Sequence, residues 1–229
     1  MFFPYAGERI GPIWVMRDIP RTTGEYRNEE YVSHNVPCSE VVQIAEQNTR
    51  GRFSICIIRA ANDLDSDIRR EMKAHGYRLQ VTEPMFAHAL NDLTPLSCEY
   101  QIERIWTAEQ LDLVNDAAGQ KQMTLEQLTT GNPTIRMYMA LDSGVPVGWV
   151  RSVTTRLGAW CQGMYVLQEY RRRGIAKALM TRMLMDDKNN GCPYNVLLAS
   201  HVGARLYPVI GYECIGELLL YKRVKRNRL

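Results

Sequence analysis

The chain has 229 residues, 45% of them hydrophobic, which suffices for one large domain or two small ones with a buried core and excludes disorder as the default state. Its net charge of +3 at pH 7 is too small to mark the whole chain as a nucleic-acid binder. Six cysteines, at positions 38, 56, 98, 161, 192 and 214, show neither a CxxC pair nor zinc-site spacing. No apolar run reaches membrane-spanning length and the start MFFPYAGERIGP lacks the regions of a signal peptide, so reduced thiols and a cytoplasmic location are expected.

In chain order, Phe53 to Ile58 reads as a buried strand, Leu64 to Ala74 as a helix, and Arg78 to Val81, after Gly76-Tyr77, as a further strand. Asp63, Asp65 and Asp67 invite a calcium-loop reading. It fails because Ile68 sits where that loop needs glycine and Ala74 where it needs a bidentate glutamate; helix-start acidity explains the aspartates better. A boundary is expected near Asn91 to Cys98, where turn formers and a proline follow the apolar run MFAHAL, dividing the chain into regions 1–95 and 96–229.

Beyond it, Tyr100 to Ile105 alternates as a strand does, and Thr107 with Gln110 has the spacing of a capping box that opens a helix. Thr124 and Gln127 repeat that spacing. Ile135 to Leu141 and Val145 to Val153, joined by Asp142-Ser143-Gly144, form a predicted hairpin, and a third strand spans about Ala159 to Val166. A helix then presents Ile175, Ala178, Leu179 and Met183 on one apolar face and stops at Asn190-Gly191. Tyr194 to Ala199 reads as a buried strand, Val202 to Ile210 as a short helix, and Tyr212 to Tyr221 as a strand interrupted near Gly216.

The junction between the third strand and its helix is the most informative segment. Arg171-Arg172-Arg173-Gly174-Ile175-Ala176-Lys177 places three arginines and a glycine where free N–H groups and the positive end of a helix dipole favour an anion, which predicts a bound pyrophosphate. A solvated basic turn would explain the arginines alone. It would leave the helix start, Ala176 and the downstream Leu206-Tyr207 and Gly211-Tyr212 pairs as coincidences.

The order of elements and two motifs resemble the GNAT family of N-acetyltransferases. Arg171, Gly174 and Ala176 fill the family's coenzyme signature, and Ala204-Arg205-Leu206-Tyr207 with Gly211-Tyr212 fills its second pattern. The resemblance covers residues 98 to 223. It implies an α/β acyl-CoA N-acyltransferase fold, a mixed, mostly antiparallel sheet flanked by helices, with a smaller GNAT-like N-terminal α/β region. The N-terminal strand, helix, Gly-Tyr and strand look like a degenerate copy of the C-terminal order, as in tandem members, but lack an arginine-glycine loop, so a structural role is expected for them.

The resemblance further implies transfer of an acetyl group from acetyl-CoA to a primary amine in a ternary complex. The cosubstrate would be held by the backbone of Met164, Tyr165 and Val166 and by Arg171, Arg172, Arg173, Gly174, Ile175, Ala176 and Lys177. Many relatives carry asparagine where this chain has Ser200, and a hydroxyl replaces only part of that contact. Tyr207 matches the family's general acid. Glu103, Glu213, Glu217 and His201 lie in the right region for a base, without one standing out. Cys161 would permit an acetylated-thiol route, but no histidine is identifiable beside it and direct attack is expected. No metal is expected. The non-enzymatic rival is an acyl-CoA sensor, and the basic tail from Tyr221 to Leu229 makes nucleic acid a minor third reading. The amine acceptor, small molecule or protein, is not legible.

Overall fold

The computed structural model describes residues 5–18, 28–91, 93–94, 98–129 and 134–224. The described residues group as two compact units, one of residues 5–85, 198–201 and 214–224, the other of residues 86–197 and 202–213. The sequence boundary at 95/96 differs from this grouping at both ends. Strand pairing, which joins residues far apart in the chain, assigns the last strand to the N-terminal unit.

In the first unit, β1 (Tyr5–Ile10) and β2 (Ile13–Asp18) form a hairpin, and β2 pairs antiparallel with β3 (Glu29–His34). α1 (Cys38–Asn48) crosses to β4 (Phe53–Ala60), which lies parallel to β3. α2 (Ser66–Ala74) follows, then β5 (Tyr77–His88), whose first nine residues belong here. Asp65 and Asp67 are ion-paired with Arg69 and Arg70 along α2. Ile13, Val15, Tyr31, Val41, Ile55, Met72 and Leu219 form the core. No helix among the described residues is long and apolar enough to cross a membrane.

The second unit holds β6 (Gln101–Arg104), α3 (Ala108–Ala118), α4 (Leu125–Thr129), β7 (Ile135–Asp142), β8 (Val145–Thr154), β9 (Ala159–Val166), α5 (Ile175–Asn189) and β10 (Asn195–Leu198). β6 to β9 run as an antiparallel meander, and β10 joins β9 in parallel. The β7–β8 turn places Ser143 and Gly144 at positive φ (50° and 84°), the primed geometry that matches strand twist. Both threonine boxes form: Gln110 N donates to Thr107 Oγ1 (3.2 Å) and Gln127 N to Thr124 Oγ1 (3.3 Å), each glutamine side chain accepting in return. Thr107→Ala is therefore expected to lower stability by about 1 kcal/mol, some 2–4 °C in a thermal melt followed by circular dichroism.

Side chains alternate across this sheet. Trp149, Met137 and Met139 pack under α3 and α4 with Leu111, Val114 and Met123, whereas α5 covers the opposite face of β7, β8 and β9 with Ile175, Leu179 and Met183 buried. Where a short helix was expected at 202–210, two 3₁₀ turns form, Gly203–Arg205 and Tyr207–Ile210, because Pro208 lacks an N–H to continue one helix. β11 (Glu213–Arg223) is one unbroken strand rather than one interrupted at Gly216. It pairs antiparallel with β4, and glycine is required because a Cβ there would meet Arg59 O at 2.2 Å.

Candidate functional site

β9 delivers the chain to the α5 N-terminus through a turn at Gln168–Tyr170. Arg172 (φ 67°) and Gly174 (φ 83°) both adopt the left-handed backbone from which anion-binding nests are built. Ala178 is the first residue of the helix start whose N–H finds a carbonyl, that of Gly174 at 3.0 Å. Among the described residues the N–H groups of Arg172, Arg173, Gly174, Ile175, Ala176 and Lys177 have no partner. A Cβ built on Gly174 would meet nothing within 4 Å. Free donors, a helix dipole and open space fit a polyanion such as a diphosphate.

The three arginines take different positions. Arg171 folds back, its Nε donating to Val166 O at 3.0 Å and its guanidinium 5.6 Å from the Tyr165 ring centroid, which braces the loop on the end of β9. Arg173 donates to Tyr100 Oη at 3.2 Å and lies 5.3 Å from the Tyr170 ring. Arg172 is exposed, on the strained residue itself. Ile175 is buried, whereas Ala176 and Lys177 are half-buried.

Upstream, β9 is shaped in two ways. Only Ala159 and Trp160 pair with β10, so from Cys161 onward the two parallel strands diverge. On its other edge β9 carries a bulge: Gly163 and Met164 oppose the single residue Val150, with Gly163 at φ 65°. Met164 is half-buried, Tyr165 exposed and Val166 buried. The diverging edge leaves strand backbone open to an extended ligand, and the bulge re-aims main-chain donors, the arrangement that stabilises an oxyanion.

Beside the bulge lies a cavity of about 360 Å³, walled by Trp149, Gly163, Met164 and Tyr165 and by Gln120 and Gln122 from the α3–α4 connection. Trp149 and Tyr165 stack across strands at 5.1 Å and 27°. Arg151, 7% exposed and held by desolvation at a pKa lowered to about 10, donates through Nη1 to Gln122 O. Its Nη2 lies 3.3 Å from where a Gly163 Cβ would stand. The segment after α3 also contributes Ala117 and Ala118 to the wall, and residues 130–133 lie outside the described ones.

Tyr207 is buried in the 3₁₀ turn, its ring 5.5 Å from Phe86 and 5.6 Å from Tyr212. Burial pushes its phenol well above the usual tyrosine range, with the nearby Cys161 adding to the effect. Cys161 is itself buried against Met180 (Sγ to Sδ 3.7 Å), and desolvation raises its thiol strongly, so a nucleophilic thiolate is disfavoured there. Ser200 is exposed and falls in the segment 198–201 that groups with the first unit.

Of the residues considered as bases, Glu103 accepts from Gln110 at the start of α3, Glu217 is ion-paired with Arg59, and Glu213 and His201 are exposed. None lines the cavity. Sequence reasoning missed Trp149, Arg151 and the bulge. A glycine within a strand pattern at position 163 and an arginine within the apolar run 145–153 were the signals that could have found them. Residues 225–229 of the basic tail lie outside the described residues.

The family model for an acetyltransferase (GNAT) domain matches residues 133–214. Among solved structures, the chain is similar to a GCN5-related N-acetyltransferase from Kribbella flavida (TM-score 0.70, 15% identity, covering 98% of this chain and 91% of that one). It is also similar to a GCN5-related N-acetyltransferase from Sphaerobacter thermophilus (0.64, 19%, 93% and 76%) and to a tandem GNAT protein of the clavulanic acid biosynthesis pathway (0.58, 11%, 93% and 80%). At these identities the likeness is one of fold. No curated protein matches the chain.

Proposed function

We propose that the chain, whose residues 133–214 match the family model for an acetyltransferase (GNAT) domain, transfers an acetyl group from acetyl-CoA to a primary amine by direct attack in a ternary complex. The observation that carries this reading is the continuity of three features along one segment: the diverging edge of β9, the bulge at Gly163 and Met164, and the run of free N–H groups from Arg172 to Lys177.

In this reading the helix start holds the pyrophosphate, with Arg172 and Lys177 adding charge and Arg171 keeping the loop seated on Val166. The pantetheine arm runs along the open backbone of Met164, Tyr165 and Val166, and the thioester carbonyl meets the re-aimed donors of the bulge. The amine enters the cavity walled by Trp149 and Tyr165. Among the described residues no carboxylate or imidazole lines that cavity, and in this reading water accepts the proton that must leave before attack.

Tyr207 donates to the departing sulfur. A thiol titrates near ~8.5 and an unshifted phenol near ~10, so full proton transfer is uphill by about 2 kcal/mol, and burial adds to that. Tyr207 therefore acts chiefly as a hydrogen-bond donor to a developing thiolate. Tyr207→Phe should lower kcat about 10²-fold with the acetyl-CoA Kd unchanged; an unchanged kcat would remove the role. The free thiols of all six cysteines agree with a cytosolic setting.

The experiment is release of free CoA from acetyl-CoA across a panel of amines. Turnover that saturates with one amine class supports the reading. No release with any amine, while acetyl-CoA still raises the melting temperature, would instead favour an acyl-CoA sensor.

A further inference from the structure

His88 closes β5 within the second unit, is 6% exposed, and has both ring nitrogens engaged. Leu90 N donates to Nδ1 at 2.9 Å. A backbone amide can only donate, so Nδ1 presents its lone pair and the proton of the neutral ring sits on Nε2. Nε2 in turn donates to Ile210 O at 3.2 Å. A second proton would have to enter on Nδ1, against the Leu90 N–H. Burial also holds the ring below the ordinary histidine pKa, with the Ile210 carbonyl opposing it in part, so geometry and desolvation both keep His88 neutral.

Ile210 is the last residue of the 3₁₀ turn that begins with Tyr207. The ring is fitted closely to that end of the turn. Gly211 follows at φ 94°, and a Cβ on it would stand 2.9 Å from His88 Nε2, so glycine serves both the left-handed backbone and the approach of the imidazole. Tyr212 completes the contact: its ring lies edge-on to those of His88 (5.2 Å) and Tyr207 (5.6 Å), and its N–H donates to Tyr207 O at 3.1 Å. The turn is thereby tied at its first residue by Tyr212 N–H and at its last by His88.

We propose that His88 is a positioning residue for Tyr207: its Nε2–H fixes the Ile210 carbonyl, which sets the turn and aims the phenol at the departing sulfur. This rests on the acyl-transfer reading, in which Tyr207 is the hydrogen-bond donor. A donor of that kind acts only where it is placed, and a shift of about 1 Å can cost about 10²-fold in rate. His88 itself touches neither cosubstrate nor amine in this arrangement, so its loss should be felt in kcat and not in binding.

Two amide variants separate the two nitrogens. A glutamine amide reaches the place of Nε2 and keeps a donor for Ile210 O, whereas the shorter asparagine reaches only the place of Nδ1 and keeps an acceptor for Leu90 N–H. In steady-state CoA release, His88→Gln should keep kcat within about threefold of wild type and His88→Asn should lose about tenfold, with the acetyl-CoA Kd the same in both. On a Tyr207→Phe background His88→Asn should cost nothing further, because it acts through the phenol. Equal kcat in the two His88 variants, or the full tenfold loss again on that background, overturns the proposal. Tyr207→Phe alone tests the donor role itself, so a failure of that reading is told apart from a failure of this one. Should no amine turn over, ¹⁵N spectra of the wild-type imidazole read the tautomer, and 3-fluorotyrosine placed at position 207 reads the turn. An Nε2–H ring, with a fluorine signal that moves in His88→Asn and stays in His88→Gln, supports the positioning role. An Nδ1–H ring, or a fluorine signal indifferent to both variants, sinks it without any need for catalysis.

Discussion

Asp187→Ala is expected to destabilise the second unit by about 3–5 kcal/mol, a large part of the 5–15 kcal/mol that holds a typical domain together. Asp187 is fully buried on α5, and its two carboxylate oxygens gather side chains from three strands. Oδ1 accepts from Arg136 Nη2 (2.5 Å, β7) and Ser152 Oγ (2.6 Å, β8), and Oδ2 accepts from Asn195 Nδ2 (2.6 Å, β10). Asn195 Oδ1 in turn accepts from Tyr212 Oη at 2.6 Å. Removing the carboxylate leaves the buried Arg136 cation and two polar groups without their shared acceptor, and the desolvation already incurred is not recovered. Urea denaturation followed by fluorescence should show the loss as a lower midpoint at an unchanged slope. A change under 1 kcal/mol would mean that water or repacking replaces the carboxylate.

The consequence is functional as well as structural. α5 carries the loop of free N–H groups at its start and Asp187 near its end, and the Asp187 network fixes the helix against β7, β8 and β10. Asp187→Asn keeps the shape and loses the charge, so it should fall between wild type and alanine.

Gly174→Glu is expected to reduce acetyl-CoA affinity by more than 100-fold while the protein stays folded. Open space around the Gly174 Cβ removes any steric objection, and a non-glycine residue at φ 83° adds strain of about 1–2 kcal/mol. A carboxylate at the start of α5 also interacts favourably with the helix dipole, which offsets part of that strain. The same carboxylate occupies the donors meant for phosphate and repels phosphate charge. Gly174→Ala carries the strain without the charge and should lose no more than about tenfold. Isothermal titration with acetyl-CoA separates the two; a Gly174→Glu protein that keeps wild-type affinity would contradict the pyrophosphate assignment.

Much of the second unit was legible because its signals are local. Ser143-Gly144 fixes the hairpin turn, two Thr-x-x-Gln boxes fix helix starts, and β9 runs from Ala159 to Val166 as its pattern predicts. The first unit was legible only from Phe53 onward. α1 begins after Pro37 without a side-chain cap, and β1 exposes most of its described residues, so neither capping nor alternation marks them. The grouping of β11 with β4 depends on pairing across more than 150 residues, which no local pattern encodes. In the site, the arginine-glycine loop announced itself through composition. The division of labour within it did not: Arg171 braces the strand end while the backbone N–H groups that follow stay without partners among the described residues, and that distinction depends on φ at Arg172 and Gly174. The cavity was hidden for a similar reason, since Arg151 and Gly163 come together only through the bulge.

The central claim is that acetyl-CoA lies along β9 with its pyrophosphate on the start of α5. Amide chemical-shift mapping of ¹⁵N-labelled protein titrated with CoA tests it directly. The account predicts that the amides of Arg172 to Lys177 shift most and saturate together with those of Gly163 to Val166. Saturable CoA binding that leaves the amides from Arg172 to Lys177 unmoved would contradict it.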